Sequence, residues 1–174
     1  VSGAGADGRF IIADLTGPGC VTRIWKTNPA GRWQFYFDGE TAPRIDVREN
    51  GFFGEETPFL PPLCGKSSNG YYSYMPIPYT KSLKIVITIL PEKRGSFYFY
   101  HVNYLTYPRR TRVESFPKTP DAGTLALMEQ VRRAWSAPVA DSQPQGETRE
   151  YTLLPGGKAV WLEHKGAGVL QSFR

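Results

Sequence analysis

The sequence predicts an all-β protein, an antiparallel β-sandwich of the jelly-roll type, and three observations carry that prediction. Ten Tyr, ten Phe and four Trp in 174 residues favour strands. Eighteen Gly and fifteen Pro supply turns between them. Short apolar segments follow one another without the regular alternation of strand and helix that a parallel sheet requires.

The elements follow in chain order. "RFIIADL" runs into the turn "GPG", then come "CVTRIWKT", "RWQFYFDGE" and "PRIDV". Within the third of these, Asp38-Gly39 is a tight-turn signal between two strands. After a long loop come "YYSYMPIPY", "SLKIVITIL" and "SFYFYHVNYLTY". The last alternates, with Tyr98, Tyr100, Val102 and Tyr104 on one face and Phe97, Phe99, His101 and Asn103 on the other. Aromatics on both faces predict a central strand covered on both sides.

One helix is expected in "TPDAGTLALMEQVRRAWSAP". Leu125, Met128, Val131 and Trp135 form its apolar stripe, Thr119 and Pro120 its start, and Pro138 its stop. "VADSQPQGETRE" reads as a polar linker. Beyond it, Ala159–Arg174 matches Phe10–Trp25 at a fixed offset, Gly17 falling on Gly166 and Gly19 on Gly168. That self-match predicts the opening strands of a second, truncated jelly roll. The expected organisation is therefore a first jelly roll over 1–118, helix and linker over 119–146, and the second start over 147–174. On this reading the chain is a piece of a longer protein.

Composition narrows the function. The net charge is +5, but Arg109, Arg110 and Arg112, like Arg132 and Arg133, are not interleaved with a nucleic-acid recognition motif, so solvated surface charge is expected and no nucleic-acid partner. No apolar run reaches the roughly 18 residues of a membrane span. Cys20 and Cys64 lack the spacing of a zinc site; they are either buried thiols or, in an exported protein, a disulfide. His101 and His164 have no nearby ligand set and read as structural. No metal site and no cofactor is expected, and no GxSxG, phosphate loop or HExxH occurs.

Two segments offer acids. In "FDGE", Asp38 and Glu40 could form a carboxylate pair of the kind glycoside hydrolysis uses, but a hairpin tip and its backbone geometry explain them better. In the loop "ENGFFGEETPFLPPLCG", Phe52 and Phe53 could stack on a sugar while Glu55 and Glu56 bond its hydroxyls. The competing reading has the two phenylalanines plugging the open end of the sandwich.

Taken in order, "DLTGPGCVTRIW", "FYFDGE", "FFG", "YYSYMPIPYTKSLKI" and "FYHVNY" resemble glycoside hydrolase family 172 from Phe10 to about Tyr107. "RVESF" and the following helix resemble the longer bacterial members, in which an extra amino-terminal jelly roll precedes the catalytic portion. The resemblance implies tandem jelly rolls assembled as homotrimers or hexamers. It also implies anomer-retaining chemistry at furanosides of the fructofuranose or D-arabinofuranose type. A secreted or periplasmic location is expected as well. The family's two catalytic glutamates lie in motifs of Gly-Thr-Glu-Asp-Tyr character that have no counterpart here, so no catalytic residue is assigned. The implied role is an accessory or assembly domain, with carbohydrate as partner. The alternative is a self-sufficient carbohydrate-binding or capsid-like jelly roll, since the fold hosts all of these.

Overall fold

A computed structural model describes residues 8–27, 31–89, 99–137, 150–160 and 162–168. Nine strands and one helix are described: β1 (Arg9–Thr16), β2 (Gly19–Thr27), β3 (Arg32–Phe37), β4 (Ile45–Arg48), β5 (Cys64–Ser67), β6 (Gly70–Ser73), β7 (Ile77–Tyr79), β8 (Ser82–Thr88), β9 (Tyr100–Thr106) and α1 (Ala122–Ser136). They form two antiparallel sheets. The first has the order β1-β8-β3-β4. In the second, β2 pairs with β6 and β7 along one edge and with β9 along the other, and β5 extends the sheet beyond β6.

Period-two alternation explains the core. On β3, Trp33, Phe35 and Phe37 are buried and the residues between them are not; on the neighbouring β8, Leu83, Ile85 and Ile87 are buried, and Val86 between the last two is buried as well. Val21, Ile24 and Ile77 face them from the second sheet. The result is the β-sandwich the sequence predicts.

The expectation for β9 is corrected. It is an edge strand among the described residues, with β2 as its one partner, and most of its side chains are exposed. Tyr100, Val102 and Tyr104 do share the face of Lys26, Ile24 and Val21, as the alternation requires. Tyr98 lies outside the described residues. The alternation fixes which residues share a face, and the place in the sheet is decided by the pairing with β2, where an extra residue at Thr22 shifts the register.

"YYSYMPIPY", read as one strand, divides into β6 and β7 around Tyr74–Pro76. The helix starts later than expected. Asp121, not Thr119, is its cap, because the Asp121 carboxylate accepts from the Thr124 N–H at 2.7 Å. Ala137 closes the helix in an extended conformation, as expected of a residue preceding proline. Of the predicted stripe, Leu125 and Met128 are half-buried and Met128 packs on the core, while Val131 and Trp135 stay exposed. The helix belongs to the same compact unit as the sandwich, Val1–Ala137.

The second unit is Pro138–Arg174. The predicted opening strands are absent from its described residues, which form turns and irregular chain. One turn closes with the Gly157 N–H donating to the Leu154 carbonyl at 2.8 Å. Leu153, Leu154, Val160 and Leu162 are exposed. A strand needs a neighbour to satisfy its backbone, and none pairs with this segment among the described residues.

Candidate functional site

The four residues singled out in the long loop separate into two pairs. Gly51–Glu55 makes a short, kinked helical turn that drives Phe52 and Phe53 into the sandwich. Phe52 is 0 % exposed and meets Trp33 at 5.0 Å, Phe35 at 5.1 Å, Phe53 at 4.7 Å and Phe59 at 4.8 Å between ring centres. Phe53 stands edge-on to Trp33 and beside Tyr71. These rings are buried and plug the interior, as the second of the two readings of the loop has it. Glu55 and Glu56 remain exposed, and the Glu56 side chain folds across Gly51.

The FDGE turn is more than a hairpin tip. Asp38 and Gly39 adopt positive φ (54° and 86°), the geometry of a tight turn between right-twisted strands. The Asp38 carboxylate then accepts from the Lys81 N–H at 2.6 Å, the Ser82 N–H at 3.3 Å and the Ser115 hydroxyl. Partial burial pushes the Asp38 carboxyl up, but these donors and the neighbouring Arg44 outweigh it and hold it below the usual carboxylate range. Arg44 binds Glu40 through two nitrogens (2.9 and 2.6 Å), donates to the Phe116 carbonyl at 3.0 Å and lies over the Phe37 ring. Both acids of the pair thus tie the chain after β9 to the end of the sandwich.

A buried ion pair lies inside. Lys26 Nζ stands 2.9 Å from Glu49 Oε2, with side-chain exposures of 2 % and 5 %. Trp33 Nε1 donates to the same oxygen at 3.4 Å, and Lys26 also lies over the Tyr71 ring. Burial lowers the Lys26 pKa, and Glu49 opposes that shift. The sequence gives little sign of this pair, because its members are separated by 23 residues and each reads locally as surface charge. Cys20 and Cys64 are both free and buried, and burial pushes the Cys64 thiol up to about 11, so neither is poised as a nucleophile. His101 projects from β9 beside Trp25, and the His164 ring lies 3.3 Å from the Ala167 carbonyl. No group of three or more metal-ligating side chains occurs among the described residues.

The outer face of the second sheet carries a feature the sequence reading missed. Trp25 and Tyr72 are cross-strand partners whose side chains point away from the core, opposite in parity to Ile24, Lys26, Tyr71 and Ser73. Tyr74 continues the row and meets Trp135 of α1 at 5.4 Å; Tyr72 and Tyr74 lie 5.8 Å apart, and Trp25 and His101 5.5 Å. Two glycines make room for these rings. A Cβ on Gly70 would sit 2.8 Å from Trp25 Nε1, and one on Gly65 would sit 2.8 Å from the Tyr72 hydroxyl oxygen. Both rings therefore lean across bare backbone instead of standing off it. Arg23 bonds the Asn103 side-chain oxygen at 3.2 Å and lies over the Tyr74 ring. The available signal was the spacing Gly70, Tyr72, Tyr74, one face of a strand carrying a glycine and two tyrosines.

This architecture defines the class as a two-sheet antiparallel β-sandwich whose interior is filled by phenylalanines and whose outer sheet face carries tyrosine and tryptophan. Residues 2–123 match the first β-sandwich domain of glycoside hydrolase family 172, and the chain belongs to that family. No match was found among curated proteins.

Proposed function

We propose that this chain provides the accessory, assembly-forming β-sandwich of a retaining glycoside hydrolase acting on fructofuranose- or D-arabinofuranose-type furanosides, and that it does not itself supply the catalytic pair. The observation that carries the reading is the match to a domain that the family places first, over residues 2–123. The disposition of the acids supports it. Retention requires two carboxyl groups about 5–5.5 Å apart around a substrate. Asp38, Glu40 and Glu49, three acids of the sandwich, are held by backbone amides, Arg44 and Lys26 in structural contacts. The edge of β9, which has no second strand partner among the described residues, and the exposed Phe99, Tyr104 and Leu105 support the trimeric or hexameric assembly that belongs to the same reading.

The purified chain, incubated with aryl α-D-arabinofuranoside and aryl fructofuranoside, is expected to release no sugar. Release that scales with protein and persists through repurification overturns the non-catalytic role. Sequencing the gene beyond the Arg174 codon tests the enzyme context: further β-sandwich coding sequence with a pair of glutamates supports it, and a stop codon overturns it.

A further inference from the structure

We propose that the outer strip Trp25–Tyr72–Tyr74–Trp135 binds a neutral carbohydrate chain, with Arg23 and Asn103 hydrogen-bonding at its side. The inference rests on the glycoside hydrolase reading above for the class of polymer, and on the strip itself for the place.

The geometry suits a sugar. A sugar ring presents a C–H face for stacking and hydroxyls around its rim. It suits amphipathic rings with a polar end, as tyrosine and tryptophan are. The rings of the strip are tilted to their neighbours by 42–54°. They form a stepped path along the twisted sheet, suited to successive residues of a chain better than to one flat ligand.

Charge narrows the class. β2, β5, β6 and β9 contain no Asp or Glu. On the sheet, the Arg23 guanidinium beside the strip is already engaged by Asn103 and Tyr74, and on α1 Arg132 and Arg133 pair with Glu129. Neither an unbalanced carboxylate nor an unengaged arginine marks the strip for an ionic partner, which matches an uncharged polymer. Gly65 and Gly70 give a further structural reason for the site: any larger residue there would displace the rings from their present positions.

The experiment is native gel electrophoresis of the full chain through inulin, through neutral arabinan and through polygalacturonate, beside sedimentation of the free protein. Retardation by at least one neutral polymer, insensitive to salt, is expected. Trp25→Ala and Tyr74→Ala should each weaken it by roughly tenfold, as truncation of a stacked aromatic anchor does. Trp25→Phe, which keeps a ring, should retain most of it, and Leu127→Ala on the exposed helix surface should leave it unchanged. Thermal melts of every variant confirm that each is folded.

Absence of retardation by both neutral polymers overturns the proposal. So does retardation that Trp25→Ala and Tyr74→Ala leave intact, or binding to polygalacturonate alone that salt abolishes. Self-association lost in Trp25→Ala, without polymer binding, would assign the strip to a second copy of the chain instead. Assaying the same samples on the aryl furanosides keeps the two readings apart. Sugar release by the chain alone breaks the accessory role without touching the strip, and unaltered binding in the variants breaks the strip without touching the role.

Discussion

Trp33 and Trp25 lie on successive strands and meet opposite environments. Trp33 is closed in by Phe35, Phe52 and Phe53, and its indole N–H is spent on the buried Glu49. Trp25 faces outward, half-covered, with a glycine beneath its ring and a histidine beside it. The interior cluster relies mainly on phenylalanine, which has no polar atom to satisfy. The outer strip uses tyrosine and tryptophan, whose polar ends can stay in water. Aromatic content alone does not distinguish filler from binding surface; ring type, strand parity and neighbouring glycine do.

Breaking this contrast should give its largest effect inside. Phe52→Ala removes a fully buried ring touching four others and should cost about 3–5 kcal/mol in urea unfolding, while Trp25→Ala should cost about 1 kcal/mol. Equal losses would mean the strip is structural packing and not a surface held ready.

Next in size is the buried pair. Glu49→Gln leaves Lys26 in the core without its counter-charge and should lose about 3 kcal/mol, measured by the same unfolding curves. Replacing both members, Lys26→Met with Glu49→Leu, should recover much of that loss, because two compatible apolar side chains need no partner charge. A double variant as unstable as the single one would assign the effect to packing and not to the lone charge.

Smaller than either of these losses is the effect expected at the turn. Asp38→Asn should lose roughly 2 kcal/mol, as for hydrogen bonds made by a charged group. The sign of its pH dependence follows from the lowered carboxyl. Its contribution is complete above the unfolded pKa of about 3.9 and is lost as pH falls through the lower folded value. The wild-type stability advantage over Asp38→Asn should therefore shrink only in that acid window. A constant difference down to pH 2 would show that the carboxylate's charge is not what holds Lys81, Ser82 and Ser115.

The sequence is most informative where chemistry is local. Local reading identifies β3, β8 and the Asp38-Gly39 turn because each depends on a few adjacent residues. It misleads at β9, where aromatics on both faces fit a covered strand and an exposed edge equally well. Phe52 and Phe53 suit either a sugar or a core, and the kink at 51–55 decides between them by turning the rings toward Trp33. The Lys26–Glu49 pair and the outer strip escape local reading for one reason. Each is assembled from segments that meet only when the sheets form.

That long-range assembly has a consequence in time. β1 pairs with β8, and β2 with β9; Thr22 already bonds to Asn103, 81 positions later. As the chain emerges from the ribosome, β1 and β2 must wait for distant partners before either sheet can close. Proteins dominated by such distant pairings fold in milliseconds to seconds rather than microseconds. Until β8 and β9 have been made, Phe10, Ile12, Val21 and Ile24 have no completed interior to enter, so β1 and β2 are the strands of this sandwich that most need protection from premature association during synthesis.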